Sequence, residues 1–239
     1  MSSTDTGPLD SFSMVCILAV SDEVDERLLD SDLKKLEANL VVACGDLPFD
    51  YLETLVTLAN VPLLYVPGNH DPDLKARARN ISPEDFIKPF SFRGEDYDSP
   101  GPKGCLNIDG RITETAGLRI GGLGGSMRYT DGPNQYTQAE MNRKALAFEA
   151  RARFGSLMAR RPKPARHLDV LLTHAPPLGV GDDDDPCHEG FGAFHRLLEQ
   201  LTPRIHLHGH IHPYGMRVEE LHIDQTRVIN TVGHQLVEV

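Results

Sequence analysis

The sequence predicts an α/β fold, and three observations carry that expectation. Apolar, β-rich runs recur at 14–21, 40–44 and 61–66, and each stops at a polar tip: Asp22, Gly45-Asp46, and Pro67-Gly68-Asn69-His70-Asp71. Helical patterns separate them, at 26–36 and around 50–58, which gives the alternation of strand and helix that builds parallel sheets. In such sheets, sites form beyond the carboxyl ends of the strands, where all of these polar tips lie.

Taken in order, the run 14–21 is apolar at consecutive positions, which suits a strand covered on both faces. In 26–36, Leu28, Leu29, Leu33 and Leu36 keep helical spacing, with acids early and lysines late as the helix dipole favours. From 73 to 102 the chain is irregular, charged and broken by Pro and Gly, which reads as loops over the rim of a site and not as a domain boundary. Strands are expected at 105–108 and 118–123, the second leading into Gly124-Gly125-Ser126-Met127-Arg128-Tyr129. The stretch 137–160 is the longest helical pattern and opens on Thr137 with Glu140 three residues on, a capping box. Its basic end, Arg151, Arg153, Arg160 and Arg161, is either an anion patch or a solvated face whose charges suit a helix C-terminus. A strand at 168–173 runs into His174, and the acidic run 182–185 reads as a solvated loop. A helix at 191–201 and a strand at 204–208 follow. Short β-rich pieces at 215–218, 227–231 and 235–239 then imply a second sheet that closes the domain.

A chain of 239 residues, 40% hydrophobic and 25% charged, is sized for one domain with a real core, expected over 14–239 behind a loose tail at 1–13. Its net charge of −11 argues against a nucleic-acid polymer or a membrane surface as partner. A small phosphate ester stays compatible, because bound divalent ions reverse the sign locally. Cys16, Cys44, Cys105 and Cys187 have no paired spacing and read as buried free thiols. With no targeting segment recognisable, the expected compartment is the cytoplasm.

The run His206-Leu207-His208-Gly209-His210-Ile211-His212 concentrates imidazoles, the commonest side-chain metal ligands. Residues two apart on an extended segment project to one side, so His210 and His212 are expected to reach one site together, with His206 and His208 lining the back of the strand. Asp22, Asp46, Asn69, His174, His210 and His212 stand at the ends of five separate β runs, His210 and His212 sharing one. Singly, each has an ordinary reading as a helix cap, a turn residue or a satisfied polar group. Their recurrence at strand end after strand end points to a metal site.

Gly45-Asp46, Gly68-Asn69-His70-Asp71, His174 and Gly209-His210-Ile211-His212, in that order, resemble the motifs of the calcineurin-like metallophosphoesterases. The resemblance implies a four-layer α/β/β/α sandwich, two mixed β-sheets flanked by helices, around two divalent metal ions. It implies that Asp22, Asp46 and His212 hold the first ion and that Asp46, Asn69, His174 and His210 hold the second, with Asp46 bridging. His70 then acts as a catalytic group beside the leaving oxygen and not as a ligand. The mixture of carboxylate, amide and imidazole suits Mn, Fe or Zn better than Ca. The implied activity is hydrolysis of a small phosphate ester by a metal-bound hydroxide, as a phosphodiesterase or phosphatase, with nucleotides among the candidate substrates.

One departure bears on this reading. The family's first motif is usually Asp-x-His, whereas here it is Asp22-Glu23-Val24, and Val24 has no donor atom. Glu23 would point the other way if the strand continued, and Asp25 lies on the turn beyond, so the first ion is expected to be weakly held. The same departure opens an alternative, a weakly active or non-catalytic member that binds metal or a phosphate ligand. On the substrate side, Asn69 and Arg128 are the expected contacts, since an arginine fork suits phosphate. Tyr129 and Tyr136 share the Arg128 stretch, which also reads as an ordinary surface loop. His188 and Glu189 are further candidates to face the pocket.

Overall fold

A computed structural model describes residues 14–74, 101–158, 168–213 and 220–239. Strands β1 (Cys16–Ser21), β2 (Leu40–Ala43), β3 (Leu63–Tyr65) and β4 (Cys105–Asn107) lie side by side and parallel. Every residue of β2 and β3 is buried, which explains why these runs are apolar without alternation. The helix expected at 26–36 is instead two 3-10 turns, Glu26–Leu29 and Ser31–Leu36. Asp30 takes extended backbone between them and breaks the spiral, while the Asp25 carboxylate caps the first turn through the Arg27 amide. Leu28 and Leu33 are buried all the same, because short 3-10 turns also bring leucines onto one face. Helix α1 (Phe49–Ala59) covers the same side of the sheet with Tyr51, Leu52 and Leu55.

The second sheet contains β5 (Ile112–Thr115), β6 (Leu118–Leu123), β9 (Val170–Thr173), β10 (Ile205–His208), β11 (Leu221–Ile223) and β12 (Thr226–Asn230), in the order β11-β12-β10-β9-β6-β5. A two-stranded piece, β7 (Ser126–Met127) with β8 (Gln135–Tyr136), stands apart from it. The C-terminal runs do not stay together as expected. β12 belongs to the second sheet, but β13 (Gly233–Glu238) pairs antiparallel with β1 and completes the first. Gly233, at φ 75°, starts β13 directly after Val232, which already bridges to Ser21 of β1. The strand expected at 215–218 lies outside the described residues; β5 and β11 carry too little apolar character to have been expected.

Two faces of each strand define the layers. Ile17, Ala19, Val42 and Leu64 of the first sheet pack against Ile120, Val170, Leu172, Ile205 and Leu207 of the second. Leu18, Val20, Val41 and Leu63 face α1 and the 3-10 turns. Beyond the second sheet, α2 (Gln138–Met158) and α3 (Gly192–Leu201) bury Met141, Phe148, Phe194 and Leu197 against Leu123 and Leu171. The result is the α/β/β/α sandwich. No helix among the described residues is long and apolar enough to cross a membrane. Of the cysteines, only Cys44 is buried; the other three are half-buried, and all four are free.

Helix α2 opens on the expected capping box: the Thr137 amide donates to Glu140 Oε2 at 2.8 Å, and the Glu140 amide donates to Thr137 Oγ1 at 3.2 Å. Thr137→Ala is expected to lower stability by about 1 kcal/mol, with Thr137→Ser close to the parent, in urea unfolding monitored by circular dichroism. An unchanged midpoint in the alanine variant would remove the cap from the account. At the basic end, Arg151 donates to the Gly110 carbonyl at 2.9 Å and Arg153 pairs with Glu149 at 3.0 Å, so these two are engaged within the fold. Arg160 and Arg161 lie outside the described residues.

Candidate metal centre

β1, β2 and β3 in one sheet and β9 and β10 in the other deliver their carboxyl ends to a common edge of the sandwich. Backbone bonds between tips fix that edge: the Asp22 amide to the Gly45 carbonyl at 3.1 Å, and the Gly209 amide to the His174 carbonyl at 2.9 Å. The two sheets are joined where the His210 amide donates to Asp22 Oδ2 at 2.9 Å. Asp22, Asp46 and His210 all have left-handed backbone, with φ of 59°, 57° and 71°. Non-glycine residues rarely sit there, and such strain gathers at functional sites. Each turn ends the extended path at once, so the side chain falls beside those of neighbouring strands.

Asp22, Asp46, His174 and His210 each present a ligand atom within 4.8 Å of all the others. His174 Nδ1 donates to the Cys44 carbonyl at 2.8 Å, which leaves Nε2 facing Asp46 Oδ2 at 3.2 Å and Asn69 Oδ1 at 3.0 Å. His210 Nε2 donates to the Cys187 carbonyl at 2.8 Å, which leaves Nδ1 for the site. Both imidazoles are thus oriented by carbonyls, as metal-binding histidines are. Burial disfavours an imidazolium at His174, but Asp46, Asp22 and the Cys44 carbonyl outweigh it and raise the group to about 9. Burial likewise works against the Asp46 charge, and His174 with the His70 amide holds that carboxyl below its usual value. Asp22 is pushed up by burial, and burial with His174 nearby pushes His210 down to about 3, so that ring is neutral. Oxygens crowded around one imidazole nitrogen attract a proton, and the same field attracts a divalent cation. The donor set therefore fits a metal.

Residues 21–214 match the profile of the calcineurin-like phosphoesterases. The chain belongs to that family. Its members are generally phosphoester hydrolases that bind divalent metals. One solved crystal structure superposes with a TM-score of 0.59 at 13% identity, over 95% of this chain and 99% of its own. The protein TT1561 of Thermus thermophilus superposes with a TM-score of 0.57 at 16% identity, over the same shares. At these identities the likeness shows the fold alone. No curated protein sequence matches the chain.

Around the four clustered groups, this calcineurin-like phosphoesterase clamps its Gly68-Asn69-His70-Asp71 loop. Asp71 Oδ2 accepts from the Gly68 amide at 2.8 Å and the Asp46 amide at 3.1 Å, and burial raises its carboxyl to about 6. Asn134 Nδ2 donates to the Gly68 and Asp71 carbonyls, and Asn69 Nδ2 donates to the Tyr129 hydroxyl at 3.2 Å. The His70 amide donates to Asp46 Oδ1 at 2.8 Å, and His70 itself is exposed at the mouth. Asn134 went unnoticed in the sequence, Asp71 stands there only as part of its motif, and Tyr129 reads there either as a site residue or as part of an ordinary surface loop. The motif containing Asp71 offered a signal; Asn134 acts on Gly68 and Asp71 across more than 60 residues and offered none.

His212 is placed differently from the expectation. β10 ends at His208 and the Ile211 amide bonds back to the Gly209 carbonyl at 2.9 Å, so the segment is not extended and two-residue alternation does not hold. His210 turns into the cluster, while His212 Nδ1 lies 3.0 Å from Glu23 Oε1 outside the group of four. Glu23 gets there because β1 stops at Ser21 and Asp22 turns left-handed, which reverses the direction the alternation assigned to it. Val24 is exposed and apolar. Arg128 is bound to Glu140 Oε2 at 3.0 Å and to the Gln135 carbonyl at 3.2 Å. The His188 ring lies 5.1 Å from the His210 ring, with Glu189 half-buried in the same loop. His206, bonded to Thr173 Oγ1 at 2.7 Å, and His208, bonded to the Gly209 carbonyl at 3.0 Å, are fully buried and pushed down by burial; both are neutral structural groups.

Proposed function

We propose that the chain is a metal-dependent hydrolase of a small phosphate ester, a phosphodiesterase or phosphatase with nucleotides among its candidate substrates. The observation that carries this reading is the convergence of Asp22, Asp46, His174 and His210 within 4.8 Å, with Asn69 against His174 and His70 at the mouth. In this reading Asp22, Asp46, Asn69, His174 and His210, with His212 as the outlying member, hold two divalent ions of the Mn, Fe or Zn type. When bound, the ions supply Lewis acidity that activates water and offsets charge on the phosphoryl group.

The chain's own residues do the rest. The Asn69 carboxamide, fixed by Tyr129 on one side and His174 on the other, marks where a phosphoryl oxygen sits. His70, anchored through its amide to Asp46, supplies a proton to the leaving oxygen. Arg128 already has Nη2 engaged by Glu140 and the Gln135 carbonyl, so its contribution is secondary to that of Asn69. The net charge of −11 supports a small ester over a nucleic-acid polymer, and the four free cysteines support a reducing compartment such as the cytoplasm.

The test is turnover of bis-p-nitrophenyl phosphate and p-nitrophenyl phosphate with Mn²⁺. Product from at least one ester, lost on chelation and restored by metal, is the expected result. A second reading, a non-catalytic metal or phosphate binder, is favoured by the exposed Val24 at the first motif and by the pairing of His212 with Glu23. Metal binding with no product from either ester would select it.

A further inference from the structure

Next to the centre just described, the loop from Gly179 to Gly190 holds a second group of potential ligands that the proposed hydrolysis does not use. His188 Nδ1 lies 2.6 Å from Asp185 Oδ2, Cys187 Sγ lies 2.7 Å from Asp185 Oδ1, and Cys187 Sγ lies 3.6 Å from His188 Nδ1. A carboxylate oxygen, a thiol sulfur and an imidazole nitrogen, within 4.8 Å of one another, thus point at a common space. We infer that Asp185, Cys187 and His188 form a separate binding site for a thiophilic divalent cation, with Zn²⁺ the fitting ion.

Ligand chemistry selects the metal. Calcium and magnesium take all-oxygen shells, whereas sulfur with imidazole is the donor pair of zinc and its neighbours. Around a tetrahedral zinc with bonds of roughly 2.0–2.3 Å, ligand atoms sit roughly 3.3–3.8 Å apart. Sulfur lies 2.7 Å from one Asp185 oxygen, nitrogen 2.6 Å from the other, and sulfur and nitrogen 3.6 Å apart, so binding needs the side chains to shift by about 1 Å. Three protein ligands leave the fourth position to water.

The loop is held in shape partly by the Asp185 carboxylate, whose Oδ1 accepts from the Cys187 amide at 3.0 Å and the His188 amide at 3.2 Å, and partly by bonds outside the three ligand groups. Asp182 Oδ2 accepts from the Gly179 amide at 2.9 Å and the Gly190 amide at 3.0 Å and so closes the loop across its base. The Asp185 carbonyl accepts from the His188 and Glu189 amides, both at 3.1 Å. The proton count also closes. Cys187 gives up its thiol proton to solvent, His188 shifts its proton from Nδ1 to Nε2, and Zn²⁺ with one thiolate, one carboxylate and a neutral imidazole is uncharged. The site is distinct from the main centre, because Cys187 turns its carbonyl, not its sulfur, towards His210. It is also adjacent to it, since fixing Cys187 fixes the acceptor that orients the His210 ring.

Cobalt titration of the full chain tests the proposal, because a thiolate bound to Co²⁺ gives an intense near-ultraviolet charge-transfer band that oxygen and nitrogen ligands do not. The band is expected in the parent, lost in Cys187→Ser, weakened or lost in His188→Ala, and kept in Asp46→Asn. No band in the parent overturns the proposal. So does a band that survives Cys187→Ser, which places the sulfur at another cysteine, or one lost in Asp46→Asn, which places the sulfur at the main centre. A measurement that needs no variant is alkylation of Cys187 by iodoacetamide, read by peptide mass mapping. Zn²⁺ is expected to slow it and unchanged alkylation counts against the site. Both readouts are independent of phosphoester turnover, so they stand or fall apart from the proposed hydrolase activity.

Discussion

Asp46→Asn is expected to lower Mn²⁺-dependent turnover of the nitrophenyl phosphates by about 100-fold or more, since losing even an outer partner of a ligand costs roughly 10–100-fold. The substitution is nearly isosteric, which confines its effect to charge. The amide oxygen can still accept from the His70 amide where Oδ1 does at 2.8 Å, so the loop keeps its anchor. The new NH₂ group can donate to His174 Nε2, which faces the carboxylate at 3.2 Å. Folding should survive while the attraction for cations goes. In thermal melts the parent is expected to gain stability on Mn²⁺ addition, by about 2.7 kcal/mol at 100 times Kd, and the variant to gain little. The metal-free parent carries a second signature. His174 is raised to about 9 from an ordinary 6.5, so its contribution to stability is complete below pH 6.5 and is lost as pH rises through 9. Asp46→Asn removes the main attraction behind that shift and should flatten this decline. A variant that keeps both the Mn²⁺-induced gain and the turnover would remove Asp46 from the centre.

The four groups that cluster at the candidate centre were legible because of where strands end. Buried parallel strands are continuous apolar runs, so the first polar residue after each run is visible in the sequence, and Asp22, Asp46, His174 and His210 were found in this way. What failed depends on backbone direction. Left-handed residues at positions 22 and 210 cannot be read from alternation, which is why the side-chain directions expected for Glu23 and His212 differ from those in the fold. Carbonyls carry no sequence signal at all. Every residue has one, yet those of Cys44 and Cys187 decide which nitrogen each imidazole offers. Arg128 shows the limit for charged groups: the sequence shows the guanidinium, while only the fold shows that Glu140, the acid of the helix capping box, meets it first. Spacing also cannot separate an α-helix from two 3-10 turns at 26–36 when one residue, Asp30, breaks the path.

Gly68→Ala should be nearly as damaging as the loss of the Asp46 charge, by a purely steric route. A methyl group there falls 2.1 Å from Asp46 Oδ1 and 2.7 Å from His174 Cε1, closer than non-bonded atoms approach. Neither neighbour can retreat freely. Asp46 Oδ1 holds the His70 amide, and His174 is fully buried with its far nitrogen tied to the Cys44 carbonyl. Overpacking of this kind costs typically about 1–3 kcal/mol, and here the displacement passes straight into two side chains of the candidate centre. The expected outcome is a lowered thermal midpoint together with loss of most Mn²⁺-dependent turnover. Gly209→Ala is the matching change on the other sheet, with its methyl 2.3 Å from Asp22 Oδ2 and 2.6 Å from Ser21 Oγ. Gly117→Ala separates the two effects. Gly117 has φ 79° but open space around its would-be methyl, so that variant pays only backbone strain of about 1–2 kcal/mol and should keep full turnover. If Gly68→Ala resembles Gly117→Ala, losing stability but not turnover, then the close approach of the Gly68 backbone to Asp46 is a packing detail and not a requirement of the centre.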